Sequence, residues 1–95
     1  MKKITVSRPQ KIQMPFSKGK ILIDGEEREV VKAGKTVTFE VSDEPHEVKV
    51  IIAAMPPLES NALYIEQTDG DTALEIKIKV PLKSSDPTVA ELTKV

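Results

Sequence analysis

Three features of the chain predict an all-β fold, an antiparallel immunoglobulin-like β-sandwich of about seven to eight strands. Apolar and polar residues alternate through the stretch from Lys20 to Ile52: Ile21 and Ile23, then Val37, Phe39 and Val41, then Val48, Val50 and Ile52. A period of two gives each strand one dry face and one wet face. Each run ends in turn chemistry, Asp24-Gly25 after the first and Ser42-Asp43-Glu44-Pro45 after the second. The runs recur every ~8–12 residues, which is the spacing of sandwich strands. The apolar residues are mainly Val, Ile and Leu, which suit a pleated, half-buried surface. A small closed barrel is the alternative architecture.

Taken in order, Ile4 and Val6 make a first short strand. Ile12, Met14 and Phe16 alternate with Lys11, Gln13 and Pro15, a second run that Pro15 pushes to an edge or a bulge. Ile21–Ile23, Asp24-Gly25 and Arg28–Lys32 form the strongest hairpin signal, because Asp-Gly supplies the positive φ angles of a type I′ turn. Ala33-Gly34-Lys35 turns into a strand over Thr36–Val41, and His46–Ala53 follows the next turn. A strand over Ala62–Gln67 then meets a second Asp-Gly at Asp69-Gly70, read as another hairpin turn. Leu74, Ile76, Ile78 and Val80 alternate with Glu75, Lys77 and Lys79 in the last strand. The expected inward set is Ile4, Val6, Ile21, Ile23, Val37, Phe39, Val41, Val48, Val50, Leu63, Ile65, Leu74, Ile76, Ile78 and Val80.

Residues 1–83 therefore read as one sandwich domain and 84–95 as a C-terminal tail. Asp86 as N-cap and Pro87 at the first helical position are a start signal for a short helix there. Ninety-five residues leave no room for a second core but suffice for folding without staples. The chain has no cysteine, which excludes disulfides, thiolate zinc sites and a cysteine nucleophile. Lys2 and Lys3 resemble the opening of a signal peptide, but Arg8, Pro9 and Gln10 interrupt before any apolar stretch. As written the chain is expected in the cytoplasm; with a leader removed it would belong to the envelope. No apolar run is long enough for a transmembrane helix.

The segment Lys20-Ile21-Leu22-Ile23-Asp24-Gly25, then Ala33-Gly34-Lys35 through Phe39 to Val41, then His46-Glu47-Val48-Lys49-Val50 resembles a PEGA-type β-sandwich domain. It is similar above all to small stand-alone bacterial proteins of that type, whose pattern Ile4–Arg8 and Ser60–Leu63 also fit. Glu44-Pro45 stands where the pattern has a glycine before the histidine, which implies a different turn shape. The resemblance implies a non-enzymatic sandwich with no agreed ligand and carries no catalytic residues to transfer.

The residues themselves offer little chemistry. His46 is the one histidine and the natural candidate for acid–base work, but no motif places a nucleophile beside it, and one histidine cannot build a common zinc site. Asp69-Gly70-Asp71 superficially fits a calcium loop, yet the position that needs a bidentate Glu holds Val80. No metal or cofactor is expected. Residues 1–20 carry six basic and no acidic side chains, the remainder eight basic and fifteen acidic. That block suits either an anionic partner or cross-strand pairs with Glu26, Glu27 and Glu29. Nucleic-acid binding would need aromatic platforms, and the chain has only Phe16, Phe39 and Tyr64.

One loop is apolar where loops are ordinarily polar: Ala53-Ala54-Met55-Pro56-Pro57-Leu58. Met55, Pro56, Pro57 and Leu58 form a stiff apolar surface suited to a protein partner, or a plug over the open end of the sandwich. The expected function is a non-catalytic protein-interaction module, using this loop or a sheet edge. Edge pairing between two copies is a further option. The alternative is a cell-envelope glycan or polymer binder, using Tyr64 or the basic N-terminal residues.

Overall fold

The alternating runs become strands in the computed structural model, which describes residues 1–8, 18–53, 57–79 and 89–95. They are β1 (Lys2–Ser7), β2 (Lys18–Ile23), β3 (Glu26–Lys32), β4 (Thr36–Val41), β5 (His46–Ile52), β6 (Leu58–Glu59), β7 (Leu63–Ile65), β8 (Thr72–Lys79) and β9 (Val89–Lys94). Two sheets face each other as a β-sandwich. One has the order β4-β1-β8-β9; the other runs β3-β2-β5, with β6 and β7 both paired to the far side of β5. Every pair is antiparallel except β1 with β8, which is parallel. No helix occurs among the described residues.

The core lies between the sheets and takes alternate residues from most strands, with Ile4, Val6, Ile21, Val48, Val50, Ile65 and Leu74 fully buried. Of the expected inward set, Val37, Leu63 and Ile78 are partly buried against it. Val80 lies outside the described residues, as does the run Ile12–Phe16. Val31, Ile52, Ala90 and Leu92 complete the core. Gly19 also faces inward. A Cβ there would stand 3.1 Å from Ile52 and 3.3 Å from Val31 and Val50, so the glycine lets neighbouring side chains fill its place.

The Asp24-Gly25 hairpin forms as expected, with φ of 55° and 85° at its two central residues, the type I′ signature. The second Asp-Gly does something else. β7 and β8 belong to different sheets, so the chain crosses between sheets at 66–71 rather than folding back as a hairpin. The Asp69 carboxylate accepts from the Glu66 N–H at 2.8 Å and lies 3.3 Å from Lys94 Nζ, while Lys2 Nζ donates to the Glu66 carbonyl at 2.8 Å. These donors hold the Asp69 carboxyl below the usual range, the Glu66 N–H first among them.

The tail is the other correction. Residues 89–94 are not helical but form β9 on the open edge of β8, with Ala90 and Leu92 inward. A two-turn helix is marginal in water, whereas a strand completing a sheet gains a ladder and two buried side chains. Residues 84–88, with the Asp86-Pro87 signal, lie outside the described residues.

Ser60 and Asn61 then join the two sheets. Between β6 and β7 the Ser60 N–H donates to the Val50 carbonyl, and Ser60 Oγ accepts from the Val50 N–H, both at 2.8 Å. The next residue turns the other way. Asn61 Nδ2 donates to the Leu92 carbonyl at 3.0 Å and Oδ1 accepts from the Leu92 N–H at 2.8 Å, so a carboxamide covers the outward peptide groups of edge strand β9. Ser60→Ala leaves the Val50 N–H buried without its acceptor and is expected to cost about 1–3 kcal/mol. Urea unfolding followed by circular dichroism measures this as a lower midpoint with unchanged slope.

Candidate functional site

The apolar loop contributes Pro57, which is exposed, and Leu58, which is half-buried, packs on the core and pairs with Ile52. Met55 and Pro56 lie outside the described residues. Among the described residues of the loop, Leu58 packs on the core while Ala53 and Pro57 are exposed. Leu58→Asp sets a carboxylate against apolar neighbours and is expected to cost about 2–3 kcal/mol, read as a marked fall in thermal midpoint.

Among the described residues, the basic side chains of the N-terminal block do not form one patch. Lys2 and Arg8 are buried, and burial lowers the Arg8 pKa. Lys18 and Lys20 stand opposite Lys32 and Val30 across the β2–β3 ladder, not opposite the glutamates. Tyr64 is 61% exposed, opposite Glu47, and lines an open groove of about 360 Å³ with Pro45 and His46.

His46 begins β5 beside the β2–β3 turn, and that turn holds it. Asp24 Oδ2 lies 2.7 Å from His46 Nδ1, Asp24 Oδ1 accepts from the Glu47 N–H at 2.9 Å, and the Asp24 N–H donates to the Glu47 carbonyl at 2.9 Å. On the other ring edge, Nε2 lies 3.1 Å from Ser42 Oγ and 3.0 Å from the Ser42 carbonyl. Sequence reasoning missed Ser42; its signal was the four-residue turn that returns position 42 to position 46.

Ser42, His46 and Asp24 thus share the contact order of an acyl-transfer triad. The surroundings argue for a pin instead. Nε2 also faces a carbonyl, which can only accept. The adjoining groove of about 510 Å³ is lined by Glu26, Glu27 and Glu40 together with Arg28 and Met1, so acidic side chains outnumber the basic groups where an oxyanion would develop. The pin ties the first hairpin to the start of β5.

The Glu47 N–H and then the His46 ring hold the Asp24 carboxyl below its usual value of 3.8. A carboxyl lowered by folding stabilises the fold above its unfolded pKa, and that contribution is lost as pH falls through the lowered value. Asp24→Asn keeps a residue that tolerates positive φ and removes the charge. It is expected to be less stable than wild type near neutral pH, the gap closing below pH 3.8. Thermal melts of both proteins across that range measure it.

A further feature is an edge. In β1, the Lys3 N–H points away from β4 and donates to Asp71 Oδ1 at 2.8 Å. By the alternation of an antiparallel ladder, the backbone groups of its partner Glu40, and of Thr38 and Thr36 in the same phase, point off the free edge of β4. Arg28 takes one of them, its Nη2 donating to the Glu40 carbonyl at 2.8 Å. Arg28 can reach because it is the extra residue of a bulge: Ile21 pairs with Glu29 and Leu22 with Glu27. Nothing in the sequence marked it.

Comparison of the chain with protein-family models, curated proteins and solved structures gives no match. The geometry of the fold and its edges carries the functional argument.

Proposed function

We propose that this chain is a non-catalytic module that binds a protein partner by accepting its strand along β4. The observation that carries this reading is the contrast among the sheet edges. The β9 edge has Asn61 clasped on Leu92; the β5 edge is occupied by β6, Ser60 and β7; β3 is bulged at Arg28. β4 is regular over six residues, and among the described residues its Thr36 and Thr38 backbone groups have no strand beside them. A strand edge of that kind gives affinity through main-chain hydrogen bonds. The resemblance to PEGA-type domains, which implies a non-enzymatic sandwich, agrees.

A glycan or polymer ligand is the second reading, favoured by exposed Tyr64 beside its groove. Co-sedimentation with insoluble cell wall, lost in Tyr64→Ala, is the result that would mark it.

Proline is tolerated where an edge N–H faces solvent, and it removes that donor. Thr38→Pro is therefore expected to lower stability by only about 1 kcal/mol while abolishing strand addition. Capture from cell extract by immobilised wild type and variant tests it. A protein held by wild type and lost by folded Thr38→Pro supports the reading, and equal capture by both overturns it. Thr36→Pro, at the first residue of the strand, serves if the first variant does not fold.

A further inference from the structure

Resting on the reading of β4 as an accepting edge, we infer that its occupant is a second copy of this chain, paired β4 to β4 about a two-fold axis at Thr38. Antiparallel pairing sets Thr38 opposite its own counterpart, both with backbone groups pointing outward, and sets Thr36 opposite the partner's Glu40. The two four-stranded sheets then become one continuous sheet, and the same patch serves both copies, as two-fold symmetry requires.

The charge along this corner is what favours a second copy. At the Glu40 end, Asp24, Glu26, Glu27 and Glu40 line one groove and outnumber its basic lining residues, Arg28, His46 and the N-terminal Met1. At the Thr36 end stand exposed Lys32 and Lys35, joined by the turn in which the Lys35 N–H donates to the Lys32 carbonyl at 3.0 Å. The corner is acidic at one end and basic at the other. Antiparallel self-pairing lays the basic end of each copy beside the acidic end of its partner, twice over. A parallel arrangement would set like ends together, which is the discrimination expected of interface charge. Arg28 must leave the Glu40 carbonyl for the ladder to extend to its end, so it competes with the partner for that acceptor.

Sedimentation equilibrium of the full chain over micromolar to millimolar concentration tests the inference. Wild type is expected to rise from 10.5 kDa toward twice that mass. Thr38→Pro is expected to weaken association by more than about tenfold, through loss of the central hydrogen bonds. Arg28→Ala is expected to strengthen it. The charge test is a swap. Glu26→Lys with Glu27→Lys, and separately Lys32→Glu with Lys35→Glu, should each associate less than wild type alone, while their mixture should restore association. Wild type that stays monomeric throughout overturns the second copy as occupant, while loss of extract capture in Thr38→Pro would still uphold β4 as an edge for another protein. Dimers that ignore Thr38→Pro and the swap overturn the β4 pairing itself.

Discussion

The sandwich depends on Ser60 and Asn61, two adjacent residues that satisfy the backbone of opposite sheets. Sheet-to-sheet packing is non-directional, since apolar side chains tolerate some sliding. Hydrogen bonds do not. With Ser60 fixed to Val50 in the five-stranded sheet and Asn61 fixed to Leu92 in the four-stranded one, the position of β5 relative to β9 is set by four bonds of 2.8–3.0 Å. The core between them then has one registration in which to pack. The same pair explains why β6 and β7 are two short strands: the chain leaves the ladder for Ser60 and Asn61 to do this work.

The other polar side chains hold connections in a similar way. Asp24 binds the first hairpin to His46 and Glu47. Lys2 and Lys94 hold the crossing turn at Glu66 and Asp69. Asp24 and Lys2 meet backbone groups that a loop or strand end would otherwise leave to water, and Lys94 meets the Asp69 carboxylate. The polar contacts are thereby placed at the connections, and the edge at β4 keeps an unbroken register.

The architecture was legible because burial on one face imposes a period of two, and six of the nine strands coincide with an alternating run, β3 being found by the turn before it. The Asp24-Gly25 turn was legible because its φ angles suit few other residues. What was not legible depends on partners distant in sequence. Asp69-Gly70 looks the same as Asp24-Gly25, but the strand after it was claimed by β1, far away in the chain, so the same dipeptide serves a crossing. The 89–94 segment carries a weak local signal, and the open edge of β8 decided it. Arg28 became an edge guard through a bulge that no residue type announces. Of the apolar loop, Leu58 turned out to cover the core, since an apolar loop residue is stabilised by any dry surface within reach.

The parallel contact of β1 with β8 has a consequence for how the chain reaches this state. β1 precedes both of its neighbours in the chain, and it lies between β4 and β8 in the finished sheet. During synthesis it can find β4 early, but its second neighbour emerges only after β5, β6 and β7 have been made. Until then one side of β1 is a bare ladder at the nascent end. Pairings between such remote segments form slowly, because the loop they close must be ordered first. The interval leaves an exposed template for mispairing with other nascent chains. Lys3 and Thr5, which keep the outer face of β1 polar, are then as much a safeguard of assembly as a feature of the folded surface.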